Sequence, residues 1–451
     1  MSAIFGFAHL DGEPALADSL PAMDAALASW GPDGRGAWRD GPCALGHRLL
    51  HNTPESLAER MPLAGRGGVV LVAAARLDDR DGLFHALGVP HEARAAMPDG
   101  ELVLRAYERW GEECPSRLLG DWALAAWDPE RRRLFVARDQ YGQTALYYHA
   151  SPRFFAFASG HAALFALPRV PRRLNELHLA EVFFGWPGDG TATLWEEVKR
   201  LPPAHCLTVS EAGLAVREYW RPQDAPQIRL GSDDAYVERF MELYGEAVRC
   251  RLRSHRPVSS TLSAGLDSGS VTALAARELR ARGLPLVAFT AAPREPREEN
   301  VPGLLLDEWP LAREAAEHVG VAEQVKVGGE GASPLDALER TLGIHSEPAP
   351  AALGHYWVHS MLAAARARGV GTLLIGQMGN GTVSWSGGSL ALAHLAATGA
   401  WPAVAREIAG QRRASGMSAA RVAYWRLFRP VYDALSTHLR WRFGEPRTVW
   451  A

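Results

Sequence analysis

The chain has 451 residues, 47% of them hydrophobic and 22% charged, with 15 Trp; that length favours more than one core and that composition excludes a disordered chain. Lys and Arg number 48 against 51 Asp and Glu, a net charge of −3, without the basic excess a nucleic-acid binder uses against phosphates. No apolar run approaches the roughly 18 residues of a membrane span, the start carries no basic leader, and Cys43, Cys114, Cys206 and Cys250 form no C-x-x-C pair, so a reducing cytoplasm is the expected setting.

In chain order, apolar runs at Gly68 to Ala75, Trp122 to Trp127, Leu134 to Ala137 and Phe154 to Phe157 alternate with helical stretches, an α+β pattern. Arg221 to Asp234 carries Pro222, Pro226, Gly231 and paired aspartates, the composition of an exposed connection. The expected organisation is therefore one domain over 1–220, a linker over 221–234 and a second domain over 235–451. Beyond the linker the spacing predicts strand Pro257 to Leu262, helix Ser268 to Arg282, strand Leu286 to Thr290 and helix Glu308 to Val319. Strand Gln324 to Val327, helices near Pro334 to Leu342 and His355 to Arg368, and strand Thr372 to Ile375 follow. Strands separated by helix-length crossovers imply a parallel sheet with helices on both faces, which binds ligands at the carboxyl ends of its strands.

The predicted strand ending at Leu262 runs into Ser263-Ala264-Gly265-Leu266-Asp267-Ser268 and then a helix. Small residues let backbone N–H groups approach an anion, and the helix N-terminus adds its positive end. Ser263 and Ser268 can add hydroxyl donors, and Asp267 can hold a magnesium ion that bridges phosphate oxygens. Ser and Asp are also ordinary helix caps, so these residues alone are equally a capped helix after a small-residue turn. The G-x-x-x-x-G-K-[ST] phosphate loop appears nowhere in the chain, which argues against kinase or GTPase chemistry.

Leu262 to Ser268 resembles the S-G-G-x-D-S signature of the asparagine synthetase-like family. Further blocks follow in the family's order. Trp30-Gly31-Pro32-Asp33-Gly34, Gly46-His47-Arg48-Leu49, Leu119-Gly120-Asp121-Trp122-Ala123 and Val136 to Gly142 with Leu146-Tyr147-Tyr148 resemble its first domain. Ala288-Phe289-Thr290, Asp307-Glu308 before Leu311-Ala312, and Gly376-Gln377-Met378-Gly379-Asn380-Gly381 resemble its second. The resemblance spans about nine-tenths of the chain. It implies an α/β two-domain protein: an N-terminal Ntn-hydrolase-like α+β sandwich, here a degenerate glutaminase domain, then a parallel-sheet synthetase domain of the adenine-nucleotide alpha-hydrolase-like type. It also implies ATP and Mg2+ as cofactors. Leu262, Ser263, Ala264, Gly265, Leu266, Asp267, Ser268, Thr290 and Gly376 would bind ATP, Asp267 and Asn380 would bind the metal, and Asp267, Glu308 and Gln377 would be catalytic.

The departures narrow the function. Glutamine-using relatives place Cys where this chain has Ser2, and their N-G-E-I-Y-N block corresponds to Ala74-Ala75-Arg76-Leu77-Asp78-Asp79. The amide donor of the oxyanion hole is thus gone, a loss worth orders of magnitude in rate. Arg48 and Asp99, glutamine-recognition remnants, become structural ion-pair residues in this reading, and the first domain becomes an inactive scaffold or peptide-binding element. An activated carboxylate then needs an amine from its own substrate, as in β-lactam synthetases and lasso-peptide cyclases. The stretch from Gly376 to Gly387 resembles the lasso-cyclase branch. The implied activity is an AMP- and pyrophosphate-forming carbon–nitrogen ligase that adenylates an Asp or Glu side chain of a precursor peptide for attack by its N-terminal amine. The implied partners are that peptide and its leader-binding protein or peptidase, with no nucleic acid and no membrane span. Asparagine synthase and a non-catalytic binding homologue are the alternatives.

Asn380 offers magnesium a neutral oxygen where relatives have Asp, and Gln377 cannot exchange protons. No Lys follows Lys326, leaving Arg406, Arg412, Arg413 or Arg421 to meet the leaving-group charge, and the expectation for the C-terminal helical region is either an abbreviated form or a truncation that impairs catalysis. His355 and His359 lack the H-E-x-x-H form and read as packing residues. Trp425 and Trp441 among arginines read as an amphipathic helix face.

Overall fold

The structure is a computed structural model that describes residues 2–185, 190–293, 307–329, 331–349, 352–385 and 390–432. Among the described residues the first half carries twelve strands: β1 (Ala3–His9), β2 (Gly34–Asp40), β3 (Cys43–Leu49), β4 (Leu63–Ala64), β5 (Val70–Leu77), β6 (Gly120–Asp128), β7 (Arg133–Arg138), β8 (Tyr147–Ala150), β9 (Phe154–Ala158), β10 (Lys199–Arg200), β11 (His205–Ser210) and β12 (Gly213–Glu218). They form two six-stranded antiparallel sheets, ordered β10-β8-β9-β1-β3-β2 and β12-β11-β7-β6-β5-β4.

The core between the sheets takes Ile4, Leu45, Phe155 and Phe157 from one and Val72, Ala125, Val136 and Leu207 from the other. The opposite face of each sheet is covered as well. Phe5, Phe7 and Ala156 pack on Met23 and Leu164, from helices Ser19–Ala26 and His161–Phe165. Leu71, Trp122 and Phe135 pack on Leu102, Val103 and Tyr107 of helix Asp99–Trp110. A strand covered on both faces reads as an unbroken apolar run, and all seven residues of β1 are buried. These layers form the α+β sandwich that the resemblance implies.

The second half builds a four-stranded parallel sheet from β13 (Val258–Thr261), β14 (Val287–Ala291), β15 (Glu323–Val327) and β16 (Thr372–Leu374), ordered β15-β14-β13-β16. Along β14, Ala288 packs on Ala312 and Ala316 of helix Trp309–Val319, while Phe289 packs on Met361 and Ala365 of helix His355–Ala367. Alternate residues thus feed helices on opposite faces. The chain steps from β13 out to β15, then returns to lay β16 on the other side of β13. That reversal is a topological switch point, where open α/β sheets bind ligands beyond the strands' carboxyl ends.

Two local boundaries differ from expectation. Asp233 and Asp234 open the 19-residue helix Asp233–Arg251 instead of ending a linker. The Ala235 N–H donates to Ser232 Oγ at 3.2 Å, and two acids in the first turn complement the helix dipole. The helix expected from Ser268 starts at Leu266, which puts Asp267 and Ser268 in its first turn.

The chain forms two compact units, Met1–Ile375 and Gly376–Ala451. The second holds helices Ala391–Ala397, Trp401–Ser415 and Ala419–Ala423. Ser386, Gly387 and Trp441 lie outside the described residues. No described helix is long and apolar enough to cross a membrane.

Candidate active site

At the carboxyl end of β13, Leu262 is buried and its N–H donates to the Phe289 carbonyl of β14 at 2.9 Å, so the loop leaves the sheet from a fixed point. The next residues fold on themselves. The Ser263 N–H donates to Ser268 Oγ at 3.0 Å, the two serine hydroxyls lie 2.8 Å apart, and the Gly265 N–H donates to Ser263 Oγ at 3.1 Å. Gly265 caps helix Leu266–Ala281, whose first-turn N–H groups no carbonyl within the helix can reach. Ala264, Gly265 and Leu266 are exposed. The arrangement presents backbone donors and a dipole's positive end to an incoming anion.

Two acids complete it. The Asp267 Oδ1 atom is buried and finds no hydrogen-bond partner among the described residues. A buried carboxylate oxygen left without a partner is costly, and a hard cation is the partner that would satisfy it. Glu308 precedes helix Trp309–Val319, and its Oε2 accepts the Ala264 N–H at 3.2 Å. A carboxylate therefore already occupies one anion-facing donor of the loop. At the end of β14, Thr290 is buried and its hydroxyl accepts a 2.9 Å hydrogen bond from Gln324 Nε2.

The other expected site residues belong to the second compact unit. Gly376 is half-buried and Gln377 exposed. Met378 takes the left-handed conformation, φ 66°, leading into the short helix Gly379–Gly381. Asn380 is exposed, and its Oδ1 accepts from Ser384 Oγ at 3.3 Å.

In the first half, Ser2 Oγ accepts the Leu50 N–H at 3.0 Å. Arg48 pairs with Asp24 at 2.6 Å. Asp99 is 3% exposed and takes ion pairs from Arg80 and, at 2.8 Å, from Arg253. Arg253 also reaches Glu55 at 2.9 Å and donates to the Leu77 carbonyl at 2.8 Å. Arg76 donates to the carbonyls of Cys250 (2.8 Å) and Arg253 (3.2 Å), at the end of helix Asp233–Arg251. Beside this cluster Glu59 is buried with Oε1 lacking a partner, and burial, reinforced by the Asp99 charge, pushes its carboxyl up to about 7. In the cluster Arg80 and Arg253 hold the Glu55 carboxyl below its usual range despite burial, which pushes the other way.

Residues 1–220 match the family described as glutamine amidotransferase domain, and residues 239–447 match asparagine synthase. The chain belongs to the asparagine synthetase-like family. Asparagine synthetase (glutamine-hydrolyzing) 3 of Bacillus subtilis is 30% identical over 268 residues, 59% of this chain and 43% of that protein. Amidase chry2 of Gibberella zeae is 30% identical over 258 residues, 55% of this chain and 37% of that protein. The chain thus spans less than half the length of these two relatives. A solved glutamine phosphoribosylpyrophosphate amidotransferase from Bacillus subtilis is 13% identical with a TM-score of 0.36, covering 73% of this chain and 91% of that one.

Against the family pattern, the fate of Arg253 and Arg76 is what motif reading missed. The one available signal was arginine at alternate positions 249, 251 and 253, just before β13.

Proposed function

We propose that this chain is an ATP- and magnesium-dependent carbon–nitrogen ligase that activates an Asp or Glu side chain of a precursor peptide for attack by that peptide's N-terminal amine, closing a macrolactam. The observation that carries the ATP step is the loop at the switch point, with open donors above the partnerless buried oxygen of Asp267. The carboxylate oxygen bonds the α-phosphorus as the bond to pyrophosphate breaks. The amine then bonds the acyl carbon, the bond to AMP breaks, and a proton leaves the nitrogen.

Ser263, Ala264, Gly265, Leu266 and Ser268 would receive the pyrophosphate, with Leu262 and Thr290 contributing to the nucleotide site. Asp267 would hold magnesium, which neutralises phosphate charge. Glu308 would yield the Ala264 N–H to a phosphate oxygen and thereby free its own carboxylate. Gln377, an amide, positions a reactant without taking its proton. A substrate amine is favoured over glutamine ammonia because Ala74-Ala75 replaces the oxyanion pair and Asp99 is consumed by Arg80 and Arg253.

A second reading, asparagine synthase acting on free aspartate and ammonia, is favoured by the Bacillus subtilis relative's name. Pyrophosphate–ATP exchange separates the two. The macrolactam reading expects exchange with a linear peptide bearing an internal acidic side chain, processed by its peptidase and presented with any leader-binding partner. Exchange with aspartate alone overturns it in favour of asparagine synthase, and no exchange with either favours a binding homologue.

A further inference from the structure

Among the described residues the sandwich meets the amino ends of β13 and β16, and it also meets the end of helix Pro334–His345, where Arg200 pairs with Glu347 at 2.7 Å. Those two strands flank the switch point, so what fixes their amino ends also fixes the gap between their carboxyl ends. Asn52, in the turn after β3, touches both. Its backbone carbonyl accepts from the His255 N–H at 2.9 Å and from His255 Nδ1 at 2.9 Å, three residues before β13 begins. Its side-chain Oδ1 accepts from the hydroxyl of Thr372, the first residue of β16, at 3.1 Å. The Gly371 N–H donates to the Pro257 carbonyl at 3.0 Å and ties the two lead-ins together.

Arg253 anchors the same lead-in from behind. Its guanidinium is held by Asp99 and Glu55 at 2.8 and 2.9 Å and by the Leu77 carbonyl. Arg251 repeats the pattern on Asp78 at 2.9 Å and on Asp121. Arg76 returns a guanidinium from the sandwich to the carbonyls of Cys250 and Arg253. Planar bidentate pairs of this kind fix orientation as well as distance. The run from Arg253 to the pyrophosphate loop is short: five residues reach β13, and the loop follows that four-residue strand.

We propose that Asn52 and Arg253 are positioning residues for the ATP loop, and that the sandwich, with its former amide chemistry gone, sets the β13–β16 gap in which the nucleotide binds. This rests on the reading of the Ser263–Ser268 loop as an ATP site. The partner chemistry is internal: an acidic pocket of Asp99 and Glu55 takes its own chain's guanidinium as a resident ligand.

The test is calorimetric titration of the full chain with Mg-ATP, each variant held well below its melting temperature. Thr372→Val removes the hydroxyl from Asn52 while Thr372→Ser keeps it. Arg253→Gly empties the acidic pocket, and methylguanidinium is the probe that can refill it. Positioning predicts about tenfold weaker ATP binding for Thr372→Val and for Arg253→Gly, near-normal binding for Thr372→Ser, and recovery of Arg253→Gly by methylguanidinium. Should Arg253→Gly fail to fold, the Thr372 pair decides alone. Folded Thr372→Val with unaltered ATP affinity overturns the proposal and leaves the ATP reading intact. A wild-type chain that binds no ATP overturns the ATP reading and this inference with it.

Discussion

Two anion-related pockets in this chain have had opposite histories. In the sandwich, the buried Asp99 and the half-buried Glu55 are paired with Arg80 and Arg253. At the end of β13, by contrast, Asp267 keeps a buried oxygen without a partner and the exposed loop ahead of it keeps donors facing outward. Carboxylates whose charges are met by the chain's own arginines act as structural elements, whereas an unmet carboxylate oxygen behind an exposed loop of backbone donors can receive an outside partner. The same family scaffold thus holds a closed pocket and an open one.

The sharpest way to break the closed pocket is Asp99→Ala. It strands the buried guanidinium of Arg80 and the half-buried one of Arg253, and urea unfolding should show a loss of about 3–5 kcal/mol. A loss under about 1 kcal/mol, the level of a surface pair, would show the cluster to be solvated.

The open pocket breaks differently. Asp267→Ala is expected to leave the melting temperature near wild type or slightly higher, because it removes a partnerless buried oxygen, yet to cut pyrophosphate exchange by about a hundredfold or more. A variant that loses stability and keeps its exchange rate would reverse the contrast.

Glu59 tests how tightly the closed pocket is sealed. Its folded carboxyl titrates at about 7, above the unfolded value, so the folded state binds the extra proton. The stability this provides is complete below the unfolded value near 4.5 and is lost as pH rises through 7. Glu59→Gln should therefore gain about 3 kcal/mol over wild type at pH 8 and little at pH 4, read as the difference between the two unfolding curves. Parallel pH profiles would mean that Glu59 is open to water.

The smallest effect is expected at Ser2, whose hydroxyl only accepts the Leu50 N–H. Ser2→Ala should leave ATP-dependent exchange unchanged, and glutamate release from glutamine should be undetectable before and after the change. Glutamate release lost in the variant would restore a nucleophilic role to Ser2.

The parallel sheet was legible because strand and helix periods are local, and so was the loop, whose small residues and acid are contiguous. Boundaries slipped where capping overrode composition, as at Ser232 and the paired aspartates behind it. The closing of the sandwich pocket was not legible in full. Asp99 and Arg253 lie 154 positions apart, and no local pattern reports that these two charges meet. Motif matching marked Asp99 as a remnant and an ion-pair residue, and only the folded chain shows which arginines fill the pocket. Likewise the bond from Ala264 to Glu308 spans 44 positions and came within reach only through family resemblance.

The most direct test of the contrast is a pair of titrations on the unmodified chain, one with Mg-ATP and one with glutamine. The expected result is a saturable heat with Mg-ATP that Asp267→Ala abolishes, and no heat with glutamine. Binding of glutamine together with silence toward ATP would contradict it.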